Sequence, residues 1–215
     1  MAIYFQDRAR TYFLITNFKV LYSTLKRQDN LVIAEASATN DLLYSPHIKR
    51  YLLVRNPYDR AESFYRDKFV LYPRGVAFRD DFRWQHCQRI FFDELNLTGK
   101  SFEEIKKGLI TTSFKQFIHL LPLKYRTDAH LIPQATAFNF AAEGKMHSIQ
   151  FDRILKIEDD DSMDFLSDHL GIDVSIVENC TKSSNISTDW DPELRKVMLE
   201  TYKDDFNLLA YDMNH

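Results

Sequence analysis

The chain has 215 residues, 45% hydrophobic and 27% charged, with a formal net charge of -3. That length and apolar fraction fit one globular domain spanning 1–215 and exclude a disordered or fibrous chain. The slight acidic excess argues against a broad nucleic-acid surface, yet leaves room for a local basic pocket around a small anion.

The first residues, MAIYFQDRAR, lack the apolar segment of a signal peptide. No stretch approaches the ~20 apolar residues of a membrane span. The expectation is a cytoplasmic protein with no membrane partner. Residues 12–16 (YFLIT), 31–34 (LVIA) and 51–54 (YLLV) are short runs of strand formers and predict buried strands. A fourth strand is expected over 149–157, where IQFDRILKI alternates. The third run stops at Arg55-Asn56-Pro57. Asn56 suits a helix N-cap and Pro57 a first helical position. Tyr58, Ala61, Tyr65 and Phe69 then recur at helical spacing. Ser101 and Glu104 form a capping-box pattern before Ile105 and Leu109. Residues 113–121 and 162–170 also predict helices, the second stopped by Gly171. Asp191-Pro192 opens a last helix running past Val197, Leu199 and Tyr202.

Strand-to-helix alternation at both ends predicts an α/β fold with a central parallel sheet. The middle, 72–126, predicts a mostly helical insertion. Five glycines and six prolines leave no long linker or second domain boundary. Cys87 and Cys180 form no CxxC pair, so no zinc site is expected and free thiols are. The acids 159–161 suit the start of a helix better than a metal site. Oligomeric state is not set by the sequence.

Open α/β sheets bind ligands beyond the carboxyl ends of their strands. The first exit, residues 16–24, carries Lys19, Ser23 and Thr24: a mobile cation and hydroxyl donors suited to a phosphate. It is not a Walker loop, because GxxxxGK[ST] is absent. The second exit carries Arg55 at the strand end and Ser63 two turns into the following helix. A guanidinium and a hydroxyl together suit a second phosphate.

The stretch RNPYDRAESFYRDKF resembles the 3′-phosphate motif of sulfotransferases that use 3′-phosphoadenosine-5′-phosphosulfate (PAPS). It is closest to the carbohydrate, Golgi-type branch, with R-[DE]-P-[FY]-x-R-x-x-S-x-[FY]-R-x-K-F matched at Arg55, Pro57, Tyr58, Arg60, Ser63, Tyr65, Arg66, Lys68 and Phe69. Asn56 replaces an acid. Residues 19–24 (KVLYST) are similar to the family's 5′-phosphosulfate loop, with Leu21 and Tyr22 where smaller residues are usual. Three later stretches also resemble family patterns in order: 128–134 around His130, Pro133 and Gln134; 151–158 with Lys156 and Glu158; and 202–206.

The resemblance implies a three-layer, P-loop-like sulfotransferase fold. It implies sulfuryl transfer from PAPS to a small-molecule or carbohydrate hydroxyl, with 3′-phosphoadenosine 5′-phosphate as product and no metal. Lys19 would contact the 5′-phosphosulfate and stabilise the leaving group. Ser23 and Thr24 would hold the same phosphate. Arg55 and Ser63 would bind the 3′-phosphate. Glu35, after the second strand, and His130 are the candidate general bases, with His47 as a third. Lys182, Ser183 and Asn185 form a late polar loop, and Phe78 or Trp84 would line an acceptor cleft. Two other readings remain: a nucleotide-dependent small-molecule kinase, and a non-catalytic nucleotide-binding module whose loop is blocked by Leu21 and Tyr22.

Overall fold

The computed structural model describes residues 2–34, 45–142, 145–175 and 188–213. These residues divide into two compact units: a sheet unit from 1–56, 134–180 and 207–211, and a helical unit from 57–133, 181–206 and 212–215.

Among the described residues the strands are β1 Ile3–Asp7, β2 Tyr12–Thr16, β3 Leu31–Ile33, β4 Lys49–Val54, β5 Asn139–Ala142, β6 Lys145–Ser148 and β7 Arg153–Lys156. Five make one sheet in the order β3-β1-β2-β4-β7, and β5 pairs with β6 in a separate hairpin. The pairs β2·β4 and β4·β7 are parallel. β1 runs antiparallel to both β2 and β3. Four of the five strands therefore run the same way and β1 runs against them, so the expected central parallel sheet is present with one antiparallel strand.

All five residues of β2 are buried. Alternate side chains of a strand face opposite sides of the sheet. Leu14 joins Leu53, Leu155, Val20, Leu25 and Leu166 in one core. Phe13 and Ile15 join Leu52, Val54, Ala137 and Leu209 in another. Both faces are covered at β2 and the end of β4, which explains why these are continuous apolar runs, whereas Val32 and Ile33 of β3, expected to be buried, are exposed at the sheet edge.

The strand expected over 149–157 is shorter. β7 begins at Arg153, and Ile149 instead leaves the hairpin, its N–H donating to the Phe138 carbonyl at 2.8 Å. Between them the Asp152 carboxylate accepts from Lys49 Nζ at 2.8 Å and from the Arg50 N–H at 2.9 Å, pinning the approach to β4.

Helix α1, Tyr22–Lys26, follows β2 in the sheet unit. Later in the same unit, Asp160–Asp164 and a π-helical continuation, Phe165–His169, follow β7. Gly171, with φ +63°, comes two residues after this helix ends. Asp160 and Asp161 lie in its first turn, where carboxylates favour the helix N-terminus.

The helical unit opens with α2, Pro57–Tyr65, which continues through the π-helical stretch Arg66–Leu71. Helices α3, Phe102–Thr111, and α4, Phe114–Lys124, start at capping boxes built by Ser101 with Glu104 and by Ser113 with Gln116. Helix α5, Pro192–Thr201, starts at Asp191, whose carboxylate accepts the Leu194 N–H at 2.8 Å. Each cap satisfies backbone donors that the first turn leaves without a helical partner. Phe64, Phe69, Phe91 and Phe117 are fully buried, with Phe64 and Phe117 stacked at 5.6 Å. Among the described residues, no helix is long and apolar enough to cross a membrane.

Candidate active site

Where β2 ends, the Thr16 hydroxyl donates to the Val20 carbonyl at 3.0 Å. Val20 is fully buried, so the chain between them folds back on itself. Lys19 has φ 71° and Leu21 φ 50°, while Val20 between them is not left-handed. Left-handed residues within a turn belong to the backbone patterns from which anion-binding nests are built. A non-glycine residue in the left-handed region costs roughly 1–2 kcal/mol, so this loop holds strain at two neighbouring positions.

Lys19 and Ser23 are half-buried, and Thr24 is buried within α1. Leu21 and Tyr22 both pack against the first core. The Tyr22 ring lies 5.9 Å from Phe5 and 4.9 Å, edge on, from Phe18. Packing contacts with the core thus occupy both side chains that depart from the family loop. Asn17 is 2% exposed, and neither its amide oxygen nor its amide nitrogen has a hydrogen-bond partner among the described residues.

Arg55 follows β4 and is half-buried. Its Nη1 donates to the Lys19 carbonyl at 3.4 Å, which brings the guanidinium to the strained loop. Gln134, 1% exposed, holds the Arg55 backbone from both sides. Its Oε1 accepts the Arg55 N–H at 2.9 Å, and its Nε2 donates to the Arg55 carbonyl at 2.7 Å. Glu158 Oε1 accepts the Asn56 N–H at 2.6 Å, and Glu158 Oε2 accepts from the Tyr211 hydroxyl at 3.3 Å. Lys156 donates to the Ala210 carbonyl at 2.9 Å and lies over the Tyr211 ring. The sequence showed Gln134, Lys156 and Glu158 only as loose pattern matches. In the structure, Gln134 and Glu158 support the Arg55 turn, and Lys156 helps anchor the tail that Glu158 also touches.

In the helical unit Ser63 lies within α2 and is 7% exposed. Most of its motif neighbours serve the fold. Arg60, 4% exposed, donates to the carbonyls of His130 at 2.9 Å and Ile132 at 2.8 Å. The Tyr65 hydroxyl donates to the Thr112 carbonyl. Arg66 pairs with Glu62 and donates to Thr188, while Glu62 accepts from the Trp190 indole. Lys68 pairs with Asp67.

His130 Nδ1 meets Asp128 Oδ1 at 2.7 Å, and the His130 N–H donates to the same oxygen at 2.9 Å. His86 Nδ1 meets the other oxygen at 2.8 Å. Burial opposes the Asp128 charge, but the hydrogen bonds from His130 and His86 outweigh it and hold the carboxyl well below the usual carboxylate range. The His130 ring and its own backbone N–H thus meet one oxygen of the carboxylate, which fixes the orientation of the ring. His130 lines a small cavity with Pro57, Arg60, Phe64, Leu131 and Tyr202.

Of the residues singled out by the sequence, Lys19, Ser23, Thr24 and Arg55 belong to the sheet unit, and Ser63 and His130 to the helical unit. Glu35, Cys180, Lys182, Ser183 and Asn185 lie outside the described residues. His47 precedes β4, at the end of the strand opposite Arg55, so the strand-exit argument does not extend to it. Phe78 is 62% exposed, whereas Trp84 is buried and stacks on Phe102.

The chain matches the model of the sulfotransferase family over residues 16–212. No curated protein and no solved structure matches it significantly. The family match begins at the last residue of β2 and reaches the tail, so it takes in the Lys19 loop, the Arg55 turn and the residues that brace it. The chain belongs to the sulfotransferase family.

Proposed function

We propose that this sulfotransferase moves a sulfuryl group from PAPS to a hydroxyl acceptor, and that the acceptor is a carbohydrate. The observation that carries the donor is the 3.4 Å hydrogen bond from Arg55 Nη1 to the Lys19 carbonyl. It brings the Arg55 guanidinium to the backbone of the Lys19 loop, which supports a ligand with phosphate at both ends of a nucleoside. The three-layer, P-loop-like fold is part of the same reading, supported by a sheet with both faces covered. The carbohydrate acceptor rests on the motif resemblance of residues 55–69.

PAPS supplies the sulfuryl group. In line with it, the acceptor oxygen forms a new bond to sulfur as the bond from sulfur to the bridging phosphate oxygen breaks. Charge builds on that bridging oxygen. Lys19 neutralises it, and the strained loop offers N–H groups already set for an anion. Ser23 and Thr24 contribute hydroxyls to the same phosphate. Arg55, with Ser63 assigned by the family motif, holds the 3′-phosphate and so distinguishes this donor from ATP. The acceptor proton passes to a general base, for which Glu35 and His130 are the candidates. The Asp128 contact at Nδ1 orients the His130 ring, which supports that role. The other product is 3′-phosphoadenosine 5′-phosphate.

The test is transfer of labelled sulfate from PAPS to a panel of sugar acceptors, beside calorimetric titration of nucleotides. Labelled sugar, with 3′-phosphoadenosine 5′-phosphate bound more tightly than ATP, is the expected outcome. Tighter ATP binding with phosphoryl transfer would make the protein a kinase. Product binding without transfer to any acceptor would make it a binding module.

A further inference from the structure

We propose that Gln134 is a positioning residue for donor binding: its side-chain amide fixes the Arg55 backbone so that the guanidinium is held beside the Lys19 loop. The inference rests on the PAPS reading of that site and deepens it.

Val54 is the last residue of β4 to follow the regular ladder, its carbonyl accepting the Ile157 N–H at 3.0 Å. Arg55 has passed the end of β7, so its N–H and C=O need other partners. A primary amide presents one acceptor and two donors in a plane, the complement of a peptide's N–H and C=O. Gln134 uses this match in full: acceptor to Arg55 N–H at 2.9 Å, donor to Arg55 C=O at 2.7 Å. The side chain thus acts as one more rung of strand pairing, for a single residue.

Gln134 is itself held. It opens the short 3-10 turn Gln134–Phe138, whose Ala137 is buried in the second core with Phe13 and Ile15 of β2. At 1% exposure its amide is closed off from bulk solvent. Glu158 takes the next N–H, that of Asn56. The Arg55–Asn56 segment is therefore gripped by two side chains from distant parts of the chain. A long flexible Arg contributes most to anion binding when its backbone is fixed beforehand, because less freedom is lost on binding.

The experiment is a double-mutant cycle on the full chain, with 3′-phosphoadenosine 5′-phosphate as the calorimetric probe. Gln134→Met keeps length and volume but loses both hydrogen bonds. It should weaken the bisphosphate about tenfold when Arg55 is present and less than twofold in an Arg55→Ala background. Equal losses in the two backgrounds, or no loss with Arg55 present, would overturn the proposal, because a merely structural residue affects both alike. Amide exchange at Arg55 provides a readout without nucleotide. Faster exchange in Gln134→Met supports the clamp, and unchanged exchange sinks it. If the unaltered protein binds no bisphosphate, the donor reading fails while the exchange result still decides the clamp. Should Gln134→Met not fold, Gln134→Glu carries the same cycle, since a carboxylate keeps the acceptor but sets an oxygen against the Arg55 carbonyl.

Discussion

The guanidinium of Arg55 lies against the backbone of Lys19, Nη1 to carbonyl oxygen at 3.4 Å, although the two residues are 36 positions apart. β2 and β4 are parallel neighbours, so their exits fall side by side at one edge of the sheet. The Arg55 guanidinium is thereby brought to the backbone of the loop that carries Lys19, and separate substitutions test the roles proposed for the two residues. Arg55→Ala should weaken 3′-phosphoadenosine 5′-phosphate about 30-fold, the scale of a lost charge-assisted phosphate contact. Adenosine 5′-monophosphate, which lacks the 3′-phosphate, should lose less than threefold. Lys19→Ala should cut turnover at least ~100-fold, while bisphosphate binding partly survives. Near-normal transfer and binding in both variants would remove the site from this edge of the sheet.

Arg60 belongs to the same sequence motif as Arg55, yet its guanidinium donates to two backbone carbonyls, and it is buried. A lysine can donate to both only by abandoning the planar fork. Arg60→Lys should therefore cost about 2 kcal/mol of stability, from buried carbonyls left without a good donor. Nucleotide affinity should change less than threefold. Urea unfolding and calorimetry together check this, and an affinity loss larger than the stability loss would make Arg60 a ligand contact.

Asp128 gives a pH signature. Its folded pKa lies below the unfolded value of about 3.9, because of hydrogen bonds from His130 and His86 set against its burial. A depressed carboxylate contributes stability that is present above the unfolded pKa and is lost as pH falls toward the folded one. Asp128→Asn should thus cost about 2 kcal/mol near pH 7. The gap from the unaltered protein should narrow steadily below about pH 4. A gap independent of pH down to the lowest value tested would contradict the assignment.

Asn17 stands beside the Lys19 loop with its whole side-chain amide buried and unpartnered among the described residues. An unsatisfied buried polar group costs about 1–3 kcal/mol. Asn17→Leu, close in size, should raise stability by about 1–2 kcal/mol in thermal or urea unfolding. A destabilised variant would show that the amide has a partner, such as a bound water.

Local rules carried much of the fold. β2 and the end of β4 were legible because a strand covered on both faces must be apolar throughout. The starts of α3, α4 and α5 were legible because a cap is decided within four residues. β1 was not: Gln6 and Asp7 look like surface residues, and only pairing with β2 and β3 buries them. The turn after it depends on Asp7, whose carboxylate accepts the N–H groups of Thr11 and Tyr12. Likewise, nothing local predicts that 149–152 leave the strand, since that follows from the hairpin and from Asp152.

The sequence by itself determined the chemistry available: a lysine and hydroxyls after one strand, an arginine after another, in the order that the sulfotransferase family shares. Residue type and spacing along a strand-to-helix exit are local properties, so they survive in one dimension. Only the tertiary structure decided which of these groups meet and what holds them. Gln134 reaches Arg55 across 79 residues, and Glu158 reaches Asn56 across 102. Such pairings depend on which strands become neighbours, and the free energy that selects them comes from burying both faces of the sheet at once.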